Sequence, residues 1–175
     1  MSGRPRLEMA LALAPQPVEG RWQARHISTS EPKALGELIY ASYKGTVDDE
    51  GETPEQAFAE ARDTLEGKYG PLLAKYSFVI DDGDRLGSAS VVTLLPSKAG
   101  PHLVFLMTRR DRWGRGMGTF VLKQTINALA ADGHERLTLY VSEQNEGARR
   151  LYQRLGFKET GFISTGEEGR TGGQR

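Results

Sequence analysis

The chain has 175 residues, enough for one domain around one core. Its 23 lysines and arginines balance 23 aspartates and glutamates, so no basic excess points to nucleic acid, and that partner class is set aside. It has no cysteine, which excludes disulfides, thiolate zinc clusters and a cysteine nucleophile, and fits a cytoplasmic location.

In chain order, residues 1–20 read as a flexible arm. The apolar run Met9 to Ala14 is only six residues, short for a signal peptide and far from the roughly 20 of a membrane span. Arg21 to Ile27 is predicted as a first strand. Ser28 to Ser30 and Pro32 start a helix that carries Leu35, Leu38, Ile39 and Ser42 at helical spacing to Tyr43. Thr53-Pro54-Glu55-Gln56 starts a second helix, through Phe58, Ala61 and Leu65 to Gly67. Tyr76 to Ile80 and Arg85 to Leu95 form strands around a hairpin turn at Asp81-Asp82-Gly83-Asp84. A fourth strand covers 102–108, a helix follows to Asp132-Gly133, and Arg136 to Val141 alternates as a fifth strand. Asn145 opens a last helix that Gly156 closes, and Phe157 to Ile163 is the sixth strand. Residues 164–175 are Gly-rich and polar and read as a disordered tail.

The segment Arg-Trp-Gly-Arg-Gly-Met-Gly at 112–118 joins the apolar run His102 to Thr108 to the helical run Thr119 to Ala130. A glycine-rich turn from strand to helix cradles phosphate, because glycines let the backbone approach and the helix start offers unpaired N–H groups. The nucleotide loop with a lysine after its last glycine does not match, since Thr119 follows Gly118. The dinucleotide spacing is absent too, because the glycines stand at 114, 116 and 118. A pyrophosphate-bearing ligand and a plain structural turn both remain open on these residues alone.

A second segment, Asn-Glu-Gly-Ala-Arg-Arg-Leu-Tyr-Gln-Arg-Leu-Gly-Phe at 145–157, supplies Asn145, Ala148, Tyr152, Gly156 and Phe157. Together the two segments resemble those of the GCN5-related N-acetyltransferases (GNAT), over roughly residues 22–163. The one departure is Trp113, where that family usually carries Arg or Gln. The resemblance implies an α/β fold with a mixed, mostly antiparallel central sheet and flanking helices. It also implies a V-shaped splay between the fourth strand (102–108) and the fifth (136–141). The expected domain spans 21–163. A seventh strand, usual in the family, has no counterpart after residue 163, so an open sheet edge and a homodimer through it are expected.

The implied activity is transfer of an acetyl group from acetyl-CoA to a primary amine. A small-molecule amine or antibiotic ranks first, a peptide N-terminus or lysine second. The alternative is a non-catalytic coenzyme A-binding sensor or partner domain. No metal is expected. The resemblance assigns the pyrophosphate to the backbone of Gly114, Arg115, Gly116, Met117, Gly118 and Thr119, with Arg112 and Arg115 adding charge. Trp113 either stacks on the cofactor or covers the helix end. Leu106, Met107 and Thr108 would lie beside the pantetheine arm, with an oxyanion donor near Phe105 to Met107. Asn145 would bond that arm or cap its helix, and Ala148 would leave room for it. Tyr152 would protonate the leaving thiolate. The 102–108 strand holds no acid, so Glu143 is the first candidate for the base and His102 the second. Between the first two helices, Tyr43, Asp48, Asp49 and Glu50 are the candidate acceptor-binding residues, since clustered acids attract a cationic amine. The bland reading of that segment is a solvated loop whose carboxylates cap helices.

Overall fold

The computed structural model describes residues 4–163. Its order is β1 (Arg6–Ala12), β2 (Ala24–His26), α1 (Pro32–Tyr43), α2 (Pro54–Leu65), β3 (Phe78–Asp82), β4 (Arg85–Leu94), β5 (Pro101–Thr108), α3 (Met117–Ala131), β6 (Arg136–Ser142), α4 (Glu146–Arg154) and β7 (Lys158–Ile163). The expected mixed, mostly antiparallel α/β architecture is present. Seven strands form one sheet in the order β2-β3-β4-β5-β6-β1-β7, and only β5 and β6 run parallel.

The local signals act as expected at α2, whereas the N-cap of α1 is Glu31 with no side-chain hydrogen bond, so the hydroxyls of Ser28 and Ser30 do not cap it. Thr53 and Gln56 form a reciprocal capping box at α2, and Pro32 and Pro54 occupy first-turn positions. Helices α1 and α2 bury Leu35, Leu38, Ile39, Ala57 and Ala61 against Val79, Ala89, Val91, Phe105 and Met107. Helices α3 and α4 bury Leu122, Ile126, Leu129, Tyr152 and Leu155 against Leu7, Met9, Leu11, Leu137, Leu139 and Val141.

Two expectations are corrected. The seventh strand exists, and it comes from the segment read as a flexible arm. Residues 6–12 alternate half-buried and buried positions, with Met9 fully enclosed, because Leu7, Met9 and Leu11 recur at the two-residue period of a strand. Strand β1 lies antiparallel between β6 (Arg6↔Ser142) and β7 (Arg6↔Ile163). The premise for dimerisation, a missing strand, is therefore removed. The predicted C-terminal tail lies outside the described residues.

The feature that positions the site is a bulge. Strand β4 pairs Val91 with Phe105 but Val92 with Leu103, so Val104 is an extra residue in β5. The bulge re-aims the strand: Leu103 packs with the α3–α4 side, while Phe105 and Met107 pack with the α1–α2 side. Pairing between β5 and β6 stops at the same point, at His102↔Thr138 and Leu103↔Leu139. Beyond it the two strands part, and the expected splay opens toward Thr108 and Ser142.

Candidate active site

The glycine turn follows β5. Arg109 N–H donates to the Gly87 carbonyl at 2.9 Å, and residues 110–112 make one 3-10 turn before the loop. Gly116 is the N-cap of α3 with φ +77°, a left-handed conformation that suits glycine. No side chain caps this helix, and its first turn holds no acidic residue. Its first N–H groups are therefore left without a side-chain partner, with the positive end of the helix dipole behind them. Gly118 lets the helix lie close to the strand: a Cβ there would stand 3.1 Å from the Thr108 hydroxyl oxygen.

The arginines differ in what holds them. Arg112 is committed to Asp82, with Nε to Oδ2 at 3.0 Å, and this contact is the main reason that the Asp82 carboxyl lies below its usual range. It braces the turn instead of reaching outward. Arg115 is exposed on the loop itself. Trp113 donates its indole N–H to the Thr108 carbonyl at 2.9 Å, with Arg110 over its ring at 5.4 Å. Its ring thus straps the loop to the end of β5, which fits the covering role. Ser88 holds the same strand end, donating to the Met107 carbonyl at 2.7 Å and meeting the Thr108 hydroxyl at 3.0 Å. Leu106, Met107 and Thr108 thus form a braced strand end whose β6-facing edge has no ladder partner.

Helix α4 supplies the chemistry-bearing side chains. Asn145 is its N-cap: Oδ1 accepts from the Ala148 N–H at 3.0 Å, while Nδ2 donates to Asp48 Oδ2 at 2.8 Å. Both ends of the amide are thus engaged within the protein, and the helix-capping reading describes it. Ala148 and Tyr152 follow on the same face. Tyr152 is 3% exposed, with its ring edge-on to Phe157 at 5.5 Å. Burial first, and the charge of Asp48 second, push its pKa well above the ordinary phenol value. It stays a protonated donor at neutral pH.

The two expected bases lie at opposite ends of the splay, Glu143 just after Ser142 at the open end and His102 at the paired end. His102 is 2% exposed at the closed end of the splay, with Nδ1 at 2.7 Å from the Thr138 hydroxyl and its ring against Tyr140. Glu143 is exposed, and its backbone is tied to Pro5 and Arg149. The acceptor-side residues divide as well. Asp49 accepts from the N–H groups of Gly45 (2.6 Å) and Gly51 (2.8 Å), which makes it a loop-shaping carboxylate, and Glu50 is exposed. Tyr43 lines a shallow recess with Tyr40, Asp49 and Glu52. Of the acids, Asp48 is turned inward, 4% exposed, beside Asn145 and within 3.8 Å of Arg4 Nη1.

Two residues escaped the sequence reading. Arg4 precedes β1 and reaches Asp48; the alternation that follows it in 6–11 was the available signal. Glu60 on α2 is half-buried, and burial pushes its carboxyl up to about 7 despite the charge of Arg6. Nothing in the helical pattern of α2 marks it.

The site thus joins an uncapped glycine turn to the unpaired end of β5, with the buried Tyr152 phenol carried on α4. The model of the acetyltransferase (GNAT) family matches residues 35–157, and the chain belongs to that family. Acetyltransferases of this family use acetyl-CoA, and the uncapped start of α3 and the unpaired edge of β5 fit such a ligand. The chain is 35% identical over 79 residues to the mycothiol acetyltransferase of Beutenbergia cavernae, covering 45% of this chain and 27% of that protein. It is 40% identical over 65 residues to the 5-NmdU N-acetyltransferase of Pseudomonas phage PaMx11, covering 37% of this chain and 44% of that protein. It thus spans less than half the length of either curated relative. A GCN5-related N-acetyltransferase structure from Sphaerobacter thermophilus shares the fold, with TM-score 0.67 and 18% identity over 93% of this chain and 50% of that one. No helix among the described residues is long and apolar enough to cross a membrane.

Proposed function

We propose that this chain is an acetyl-CoA-dependent N-acetyltransferase acting on a primary amine, with a small-molecule amine such as a metabolite or antibiotic as first acceptor class. A peptide N-terminus or lysine is the second class, and the cytoplasm is the proposed location. The observation that carries the reading is the buried Tyr152 phenol. It lies on the α4 face defined by Asn145 and Ala148, and a binding module has no need of such a proton donor. Bound acetyl-CoA supplies a thioester whose thiolate is a fair leaving group, with a pKa of about 8.5.

The residues share the work. Backbone N–H groups from Gly114 to Thr119 hold the pyrophosphate, with Arg115 adding charge and Trp113 and Arg112 bracing the turn. The edge of β5 from Leu106 to Thr108 lines the pantetheine arm, and Ala148 leaves space for it. A backbone N–H near Phe105 to Met107 stabilises the oxyanion. Tyr152 gives its proton to sulfur.

Calorimetric titration with acetyl-CoA, with ADP as control, tests the cofactor site. A thiol-release screen over aminoglycosides, polyamines, amino-acid amines and lysine peptides tests the transfer. Micromolar binding much tighter than ADP, with turnover of at least one amine, is expected. Binding without any turnover would favour the coenzyme A-sensing alternative, and no binding would remove the reading.

A further inference from the structure

We propose that Asp48 is the proton acceptor for the incoming amine. The proposal rests on the transferase reading and names the residue which that reading lacks. A lysine-like amine, with a pKa of about 10.4, is all but fully protonated at neutral pH, so the reaction needs a base at the acceptor side.

Three observations select Asp48 among the acids. It is the acid of the α1–α2 loop that is buried, at 4% exposure, while Glu50 is exposed and Asp49 serves Gly45 and Gly51. It is fixed to the helix that carries the phenol, through the 2.8 Å bond from Asn145 Nδ2 to Oδ2. Its charge adds to burial in raising the pKa of the Tyr152 phenol on that helix. The other carboxylate oxygen, Oδ1, has Arg4 Nη1 at 3.8 Å, too long for a hydrogen bond. A buried carboxylate normally takes several hydrogen bonds, and this one keeps an oxygen for a further donor. An ammonium group is such a donor. Among the described residues, Arg4, from the segment before β1, lies 3.8 Å from Asp48, and Tyr152, from α4, senses its charge. Glu60 faces Arg6, Glu50 and Asp63.

The steps balance. Asp48 Oδ1 takes one proton from the bound ammonium and later returns it to water. The freed nitrogen lone pair bonds the acetyl carbonyl carbon as the carbon–sulfur bond breaks. Sulfur takes the Tyr152 proton, and the second nitrogen proton restores the phenol. The products are the amide, the thiol and one proton in solution.

The test is Asp48→Asn, which keeps an oxygen for Asn145 but removes the basic carboxylate. With acetyl-CoA and the best amine of the screen, kcat/KM at pH 7 should fall about 100-fold. It should then rise about tenfold per pH unit toward pH 9, because solution must supply the free amine, while wild type changes much less. Acetyl-CoA affinity should match wild type, which also shows that the fold is intact. Asp48→Ser is a second neutral variant, with the same expected profile, should Asp48→Asn fold poorly. A variant whose pH profile parallels wild type overturns the assignment and leaves the transferase reading standing. So does Glu143→Gln showing the steep profile in its place. A wild-type chain that binds acetyl-CoA but acetylates no amine overturns both.

Discussion

The two sides of the cleft are made of different material. The proposed cofactor side is one continuous stretch, Leu106 to Thr119, with backbone held by Ser88, Trp113 and the Arg112–Asp82 pair. The proposed acceptor side is assembled from side chains far apart in sequence: Arg4, Asp48 and Asn145. A backbone cradle tolerates changes of side chain, so Trp113 can replace the usual Arg or Gln and still hold the turn in place. A side-chain assembly has no such tolerance, because each group depends on another element to aim it.

Substitutions can break this contrast. The largest effect is expected at Met9, which is fully enclosed in the strand that delivers Arg4. Met9→Ala should cost about 2–5 kcal/mol of stability, measured by urea unfolding; an arm without structure would register almost nothing. Tyr152→Phe should lower kcat about 100-fold without abolishing it, since the thiolate leaves fairly well unaided, and acetyl-CoA affinity should hold. Wild-type turnover there would refute the acid role. Gly118→Ala presses a methyl group on the Thr108 hydroxyl, 3.1 Å away, and shifts the start of α3. Acetyl-CoA binding by calorimetry should weaken about tenfold, or about 1.4 kcal/mol.

The smallest effect is expected at Glu60 on α2. The Glu60 carboxyl has its pKa raised to about 7, so the folded state binds a proton more tightly than the unfolded chain does. Stability from this group is therefore full below the ordinary glutamate range and falls as pH rises toward 7. Glu60→Gln should raise Tm by about 2–4 °C at pH 8 and leave it unchanged at pH 4. An equal shift at both values would mean that the effect is packing rather than charge.

What the sequence disclosed follows the same division. The glycine turn, α4 with its asparagine cap and the two proline-started helices were legible, because each is specified within about a dozen neighbouring residues. Strand β1 was misread because Met9 to Ala14 looks like a loose apolar run, whereas the decisive alternation begins earlier, at Arg6. Its partners in β6 and β7 leave no local mark. Glu143 and His102 looked suitable as bases by their nearness in sequence to the splayed strands. The fold, however, turns one to solvent and seals the other at the closed end. Asp48 was one of four candidate acceptor-binding residues, and its burial and its contact with Asn145 set it apart from Asp49 and Glu50 in ways that the sequence does not mark.

The central position of β1 also bears on how the chain acquires its shape. Residues 6–12 are synthesised before the strands that flank them, yet Arg6 pairs with Ser142 and Ile163. Leu7, Met9 and Leu11 therefore wait uncovered until nearly the whole described segment exists, and contacts of such long span slow folding. The half-sheet formed by β2 to β5 can assemble earlier from hairpin neighbours. On the ribosome, the part formed by β6, β1, β7 and α4 is thus the last to take form, and a nascent chain stalled before β6 would carry the glycine turn without the helix that bears Tyr152.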